Sequence, residues 1–283
     1  MSIRKIVVPV DVTPAVQAAL ETALFVGGWL GAHVEAVHVR VEPTAAVPLV
    51  GEGMSGALVQ DLIELTERES AGRAAAAKVM FEEARTRAGL AAAEHPAPSG
   101  ASARFIEFRG IEEDEVVRRA RLADLVVIGR PVVHPEVLST VPFNALIFES
   151  AAPVMVAGAT APSALKRIVV AWNDSKESAR AIKYALPLLH RAASVQVVSV
   201  GTDPEVDSAC ASAVEFLAWH GIAATPRILA DTGSPDDALS EACGDADLVV
   251  MGAYTHNRLW QMILGSVTRH MIERTSLLLL MAH

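Results

Sequence analysis

Short apolar runs alternate with longer amphipathic stretches along the whole chain. Arg4 to Asp11 is apolar at both even and odd positions between its charged ends, which predicts a parallel strand buried on both faces. Thr13 and Pro14 predict a helix start, with a hydroxyl cap and a proline where no N–H donor is needed. That helix extends to about Gly31. His33 to Val39 reads as a second strand, and about Leu58 to Ala88 as a long helix. Ala103 to Phe108 is a third strand. Glu112 to Leu122 is a helix whose acidic first turn suits the helix dipole. Leu125 to Ile128 is a fourth strand. A helix near Phe143 to Glu149 and a strand from Pro153 to Ala157 close the series. Residues 158–164, with Pro162, read as a linker.

The same order then repeats. Lys166 to Val170 mirrors Arg4 to Val8, an offset of 162 (166 − 4). Ser175 caps a helix that ends near Arg191. Val195 to Val200 is a strand, Val206 to His220 a helix, and Arg227 to Ala230 a strand mirroring Arg104. Ser234 reads as a cap before Pro235, Asp236 and Asp237. Ala246-Asp247-Leu248 mirrors Ala123-Asp124-Leu125, an offset of 123 (246 − 123). The second copy is therefore 39 residues shorter in its middle (162 − 123). Gly265-Ser266 opens a final amphipathic stretch, and Leu277 to Ala282 is a closing strand.

Strands alternating with helices predict right-handed crossovers and a parallel sheet covered on both faces. The expected fold class is α/β, with two repeated doubly wound domains at residues 1–158 and 165–283. Each is expected to hold a five-stranded parallel sheet flanked by helices. The two closing strands are apolar throughout, and exposed apolar edges are normally covered. They are expected to lie side by side, antiparallel, across a pseudo-two-fold axis.

Composition narrows the functions. The chain has 283 residues, 52% hydrophobic and 20% charged, enough for a sizeable core. A formal net charge of -9 argues against nucleic-acid and acidic-membrane partners. No signal peptide or membrane-spanning run is expected, which points to the cytoplasm. Cys210 and Cys243 read as buried thiols, with one disulfide between them possible in principle. His33 and His38 lie five apart, on opposite strand faces, and read as surface or edge histidines rather than metal ligands.

Ligands in such sheets bind beyond the carboxyl ends of the strands, where strand order reverses. The ends to inspect are Asp11, Val39 and Gly129 in the first copy, and Asn173, Val200 and Gly252 in the second. Gly252 would let the backbone approach a ligand. Gly265 and Ser266 would offer N–H groups and a hydroxyl at a helix start, a natural phosphate site. The first copy has Arg130 and Pro131 after Gly129, with Pro135 further on, and each proline removes a donor. Residues 40–57 read as a mobile insertion. Its Gly51-Glu52-Gly53-Met54-Ser55-Gly56 spells GxGxxG but lacks the preceding strand that a dinucleotide fingerprint needs. No Walker A lysine, HExxH or GxSxG motif occurs.

The starts IVVPVDVTPAVQAAL and IVVAWNDSKESARAI, both ADLVV strands, and MGAYTHNRLWQMILGSV resemble the universal stress protein family, arranged as a tandem of two domains. The resemblance implies an adenine nucleotide alpha hydrolase-like fold. It also implies a cytoplasmic stress-response protein that binds ATP or a related adenine nucleotide, with Mg where the phosphates need it. Nucleotide-binding members carry Gly, two residues, Gly, nine residues, Gly, then Ser or Thr. The second copy offers Gly252, Thr255 in place of the second glycine, Gly265 and Ser266. Asn173 stands where the family has an aspartate, Asp174 where it has a glycine, and Val200 where it contacts adenine. The implied site is therefore Asn173, Val200, Gly252, Thr255, Gly265 and Ser266, with no catalytic residue and no dedicated metal ligand. A dedicated enzyme is not expected, although slow ATP hydrolysis occurs among the family's members. The alternative reading is a nucleotide-free interaction scaffold, in which the paired domains, alone or as a homodimer, present a partner surface.

Overall fold

A computed structural model describes residues 2–40, 56–95, 100–130, 143–230, 233–253 and 266–283. The first half runs β1 (Lys5–Pro9), α1 (Pro14–Leu30), β2 (His33–Arg40), α2 (Gly56–Arg87), β3 (Ala91–Ala92), β4 (Ser102–Arg109), α3 (Glu112–Ala120), β5 (Leu125–Ile128), α4 (Phe143–Glu149) and β6 (Val154–Val156). The second runs β7 (Arg167–Ala171), α5 (Lys176–Leu189), β8 (Ser194–Val200), α6 (Pro204–Trp219), β9 (Ala224–Leu229), α7 (Pro235–Ala242), β10 (Leu248–Gly252), α8 (Ser266–Arg274) and β11 (Leu279–Ala282).

Among the described residues, eleven strands form one sheet in the order β3-β4-β2-β1-β5-β6-β11-β10-β7-β8-β9. This is an α/β fold with a mostly parallel sheet flanked by helices. The single antiparallel junction is between β6 and β11, where Leu279 faces Val156 and Met281 faces Val154. On either side of it the strand order mirrors itself, apart from the two-residue β3, which the sequence pattern did not reveal. Two apolar layers cover the sheet. One gathers α1, α2, α5 and α6 through residues such as Leu20, Phe81, Ile182 and Leu217. The other gathers α3, α4, α7 and α8 through Val116, Leu146, Leu239 and Met271. Both layers run unbroken across the β6–β11 junction, so the halves share their cores. Period-two burial explains the split: Ile6 and Val8 face one layer and Val7 the other.

The repeated Ala-Asp before β5 and β10 has a structural cause. Asp124 Oδ2 accepts from the backbone N–H groups of Arg4 and Lys5 at 2.8 and 3.0 Å. Asp247 Oδ2 does the same for Lys166 and Arg167, both at 2.8 Å. Each carboxylate thus ties the start of its strand to the start of the first strand in its own half.

Several expectations are corrected. His33 and His38 are buried rather than exposed. Each has a polar partner that makes burial tolerable: His33 Nδ1 lies 2.8 Å from Ser102 Oγ and His38 Nδ1 lies 2.8 Å from the Val10 carbonyl. Burial, offset in part by Glu35, lowers the His33 pKa. Cys210 and Cys243 belong to opposite layers, with the sheet between them, so a disulfide between them is ruled out. β9 begins at Ala224 rather than Arg227. The parallel ladder directs Leu229, and with it every second residue, toward β8. Pro226 therefore faces outward on the edge, where a missing N–H costs nothing and blunts pairing with another chain. Ser234 does not cap α7 with its side chain; its hydroxyl donates to Asp237 Oδ2 at 2.6 Å.

No helix among the described residues is long and apolar enough to cross a membrane. The insertion with its GxGxxG lies almost wholly outside the described residues, and so do Pro131 and Pro135.

Candidate functional site

Strand order reverses at β7. From there the chain moves outward to β8 and β9, then returns to β10 and β11 on the other side. The carboxyl ends of β10, β7 and β8 are therefore neighbours. They carry Gly252, Asn173 just past β7, and Val200. α8 leads back from the carboxyl end of the sheet to the start of β11, so its first residue, Ser266, lies at the same end of the molecule. Thr255 and Gly265, together with His256 and Arg258 between them, lie outside the described residues.

Asn173 is exposed, and its Oδ1 accepts from the Ser175 hydroxyl at 2.7 Å. Ser175 caps α5 in a reciprocal box with Ser178: the Ser178 N–H donates to Ser175 Oγ at 3.1 Å, and the Ser175 N–H donates to Ser178 Oγ at 3.2 Å. The expected cap at Ser175 is thus present, and it also orients Asn173. Between them Asp174 adopts φ 56°, a left-handed conformation that favours glycine. Replacing Asp174 by glycine is expected to stabilise the protein by roughly 0.5–1 kcal/mol, and by valine to destabilise it, as read by denaturant midpoints.

Gly252 is needed for packing. A Cβ there would lie 2.6 Å from the Ser178 nitrogen and 2.9 Å from the Glu177 carbonyl carbon. The first turn of α5 sits directly on the end of β10. Gly129 repeats the arrangement in the first half, with a Cβ position 2.7 Å from the Ala15 carbonyl oxygen. Ala15 is the counterpart of Glu177 (177 − 162). Glu177 is buried, beside an exposed Lys176 whose Nζ is 3.4 Å away.

Val200 is partly buried against the layer that holds α7 and α8. The Ser266 hydroxyl donates to Asp236 Oδ1 at 3.2 Å, and His270 Nε2 lies 3.7 Å from Asp237 Oδ1. The acidic start of α7 therefore borders the start of α8. In the sequence those acids read only as dipole partners for their own helix; no spacing rule reveals a neighbour thirty positions away. Among the described residues, no group of three or more His, Cys, Asp or Glu is arranged to hold a metal ion.

The first half presents a different surface at the equivalent place. Burial, with the nearby charge of Asp11, raises the Glu112 carboxyl to about 7. Arg130, after Gly129, reaches across to the end of α8.

The model of the Universal stress protein family matches residues 164–283, the stretch from just before β7 through β11. Among solved structures, a universal stress protein from Archaeoglobus fulgidus DSM 4304 aligns with a TM-score of 0.67 at 16% identity, covering 98% of this chain and 97% of that one. A functionally unknown protein from Pseudomonas aeruginosa PAO1 aligns with a TM-score of 0.59 at 15% identity, covering 98% and 92%. At these identities the likeness shows the fold. Comparison with curated protein sequences gives no significant match.

Proposed function

We propose that the second half of the chain is a stress-response module that binds ATP or a related adenine nucleotide at the carboxyl ends of β7, β8 and β10. The observation that carries this reading is the coincidence of three things in residues 164–283. The family match falls there, the strand order reverses there, and Asn173, Val200 and Gly252 lie on adjacent strand ends. Asn173 and Val200 would face ribose and base. The start of α8, with Gly265 and Ser266, would meet the phosphates, with Thr255 alongside. The first half, whose Arg130 turns elsewhere, supplies a partner domain through the β6–β11 junction. The protein would work in the cytoplasm.

The Asp236 carboxylate beside Ser266 bears on the form of the ligand. It would repel a bare triphosphate. Carboxylate and hydroxyl oxygens suit a hard cation, so the pair fits a magnesium-carried nucleotide better than a free one. The same carboxylate favours the second reading, a nucleotide-free scaffold, in which the Asp236–Ser266 bond simply ties α7 to α8.

Calorimetric titration separates the two. Under the first reading wild type binds one ATP per chain when Mg²⁺ is present. Ser266→Ala weakens binding by the worth of one hydrogen bond, about 0.5–1.5 kcal/mol. Gly265→Trp blocks the phosphates outright, and Asp236→Asn reduces the dependence on Mg²⁺. An absence of binding at millimolar ATP removes the nucleotide reading and leaves the scaffold reading.

A further inference from the structure

We propose that Arg130, a residue of the first half, positions the phosphate end of the site in the second half by fixing α8; the role toward nucleotide rests on the reading above. The Arg130 Nη1 donates to the carbonyls of Met271, at 3.0 Å, and Ile272, and Nη2 donates to the carbonyl of Leu277. α8 ends at Arg274, so the first two are carbonyls of its last turns, where helical partners run out. A guanidinium there also meets the negative end of the helix dipole. Burial lowers the Arg130 pKa, but an arginine keeps its charge throughout the ordinary range.

The contact has a direction. The position equivalent to Arg130 in the second half is Ala253 (253 − 123), whose side chain has nothing to offer the first half. The end of α4, the counterpart of α8, meets an arginine of its own half, Arg121, whose Nε donates to the Glu149 carbonyl at 3.1 Å, while from the second half it meets the His283 ring, 4.5 Å from that of Phe148. Only α8 is held from across the junction by an arginine fork among the described residues.

α8 is a short rod of nine residues, about 13 Å long at 1.5 Å per residue. Its start is tied to α7 through Ser266, and its end to Arg130. A cleft of about 530 Å³ opens beside Arg130, lined by Pro14, Ala15, Gly158, Ile272 and Ser276 among others. Among the described residues, side-chain packing therefore does not replace the fork on that side. When the fork is lost, the end of α8 has room to shift, and its N–H groups at the other end shift with it.

Amide hydrogen exchange and calorimetry on wild type, Arg130→Ala and Arg130→Lys test this. In Arg130→Ala, exchange within α8 is expected to rise about tenfold while α5 and β10 stay protected. ATP affinity falls by about tenfold, the equivalent of one hydrogen bond to a charged group, while adenosine affinity holds. Arg130→Lys restores part of both effects, because it keeps the charge and gives up the fork. Unchanged exchange in α8 overturns the proposal. So does a uniform rise in exchange with ATP and adenosine affinities falling together, which marks general destabilisation. If wild type binds no ATP, the nucleotide reading fails and the positioning role fails with it; the exchange pattern then reports separately whether Arg130 holds the helix.

Discussion

Replacing Glu35 by glutamine is expected to destabilise the protein by about 3 kcal/mol, the low end of the range for removing one partner of a buried ion pair. Glu35 is 2% exposed on β2. Its carboxylate is bonded to Arg104 on β4, lies 3.0 Å from Lys5 Nζ on β1, and lies 3.8 Å from Arg119 on α3. Arg119 in turn stacks over Phe108 at 4.0 Å. One carboxylate compensates three cations, so removing its charge leaves three like charges facing one another. The cations are partly solvated, which places the loss at the low end. The second half shows a neutral solution. The ladder pairs Val169 with Gln196 and Gln196 with Thr225, where the first half pairs Val7 with Glu35 and Glu35 with Arg104. The double variant Glu35→Gln with Arg104→Thr is therefore expected to recover more than half of the loss. Urea denaturation of the four proteins of the cycle reads this directly. A single variant with wild-type stability would show that the network contributes nothing.

The pH dependence follows from the same residue. Burial raises the Glu35 pKa, but the bonds from Arg104 and Lys5 outweigh it, and the net shift is downward from 4.5. A lowered folded-state pKa means stability that is present above about 4.5 and lost as pH falls through the folded value. The gap between wild type and the Glu35 variant should accordingly close in acid. Glu112 acts in the opposite sense. Its folded pKa of about 7 contributes stability below 4.5 that is lost as pH rises toward 7.

The fold was legible because its signals are periodic. Buried strands apolar on both faces, a proline and a cap at the start of α1, and repeated Ala-Asp-Leu runs each have one physical reading. The offset between copies was a weaker guide. It matched Arg227 to Arg104, yet the ladder puts Thr225 opposite the counterpart of Glu35. Sequence spacing does not report where the middle of the shorter half slips by two residues. That Asn173, Val200 and Gly252 come together was legible, because strand order dictates which strand ends are neighbours. Arg130 and Asp236 were not, since each acts on an element remote in sequence. Nor did the sequence reveal that Gly252 answers first to helix packing; a glycine at a strand end reads alike whether a ligand or a backbone approaches it.

Gly252→Ala is therefore expected to cost about 2–3 kcal/mol before any ligand is considered, the upper part of the range for overpacking. The atoms in the way, the Ser178 nitrogen and the Glu177 carbonyl carbon, are backbone and cannot rotate aside. To make room the first turn of α5 must lift from β10. That turn carries Ser175, whose hydroxyl holds Asn173. The same substitution should thus loosen the ribose side of the proposed site while leaving Ser266 untouched at the start of α8. Gly129→Ala meets an equivalent obstacle in Ala15 and should lose a similar amount of stability. Denaturation of both variants measures the packing cost, and titration of Gly252→Ala with adenosine and ATP measures the site. A Gly252→Ala protein as stable as wild type would show that α5 can yield, and that the glycine is not held there by packing. A protein destabilised as expected but binding adenosine undiminished would place the nucleoside away from Asn173.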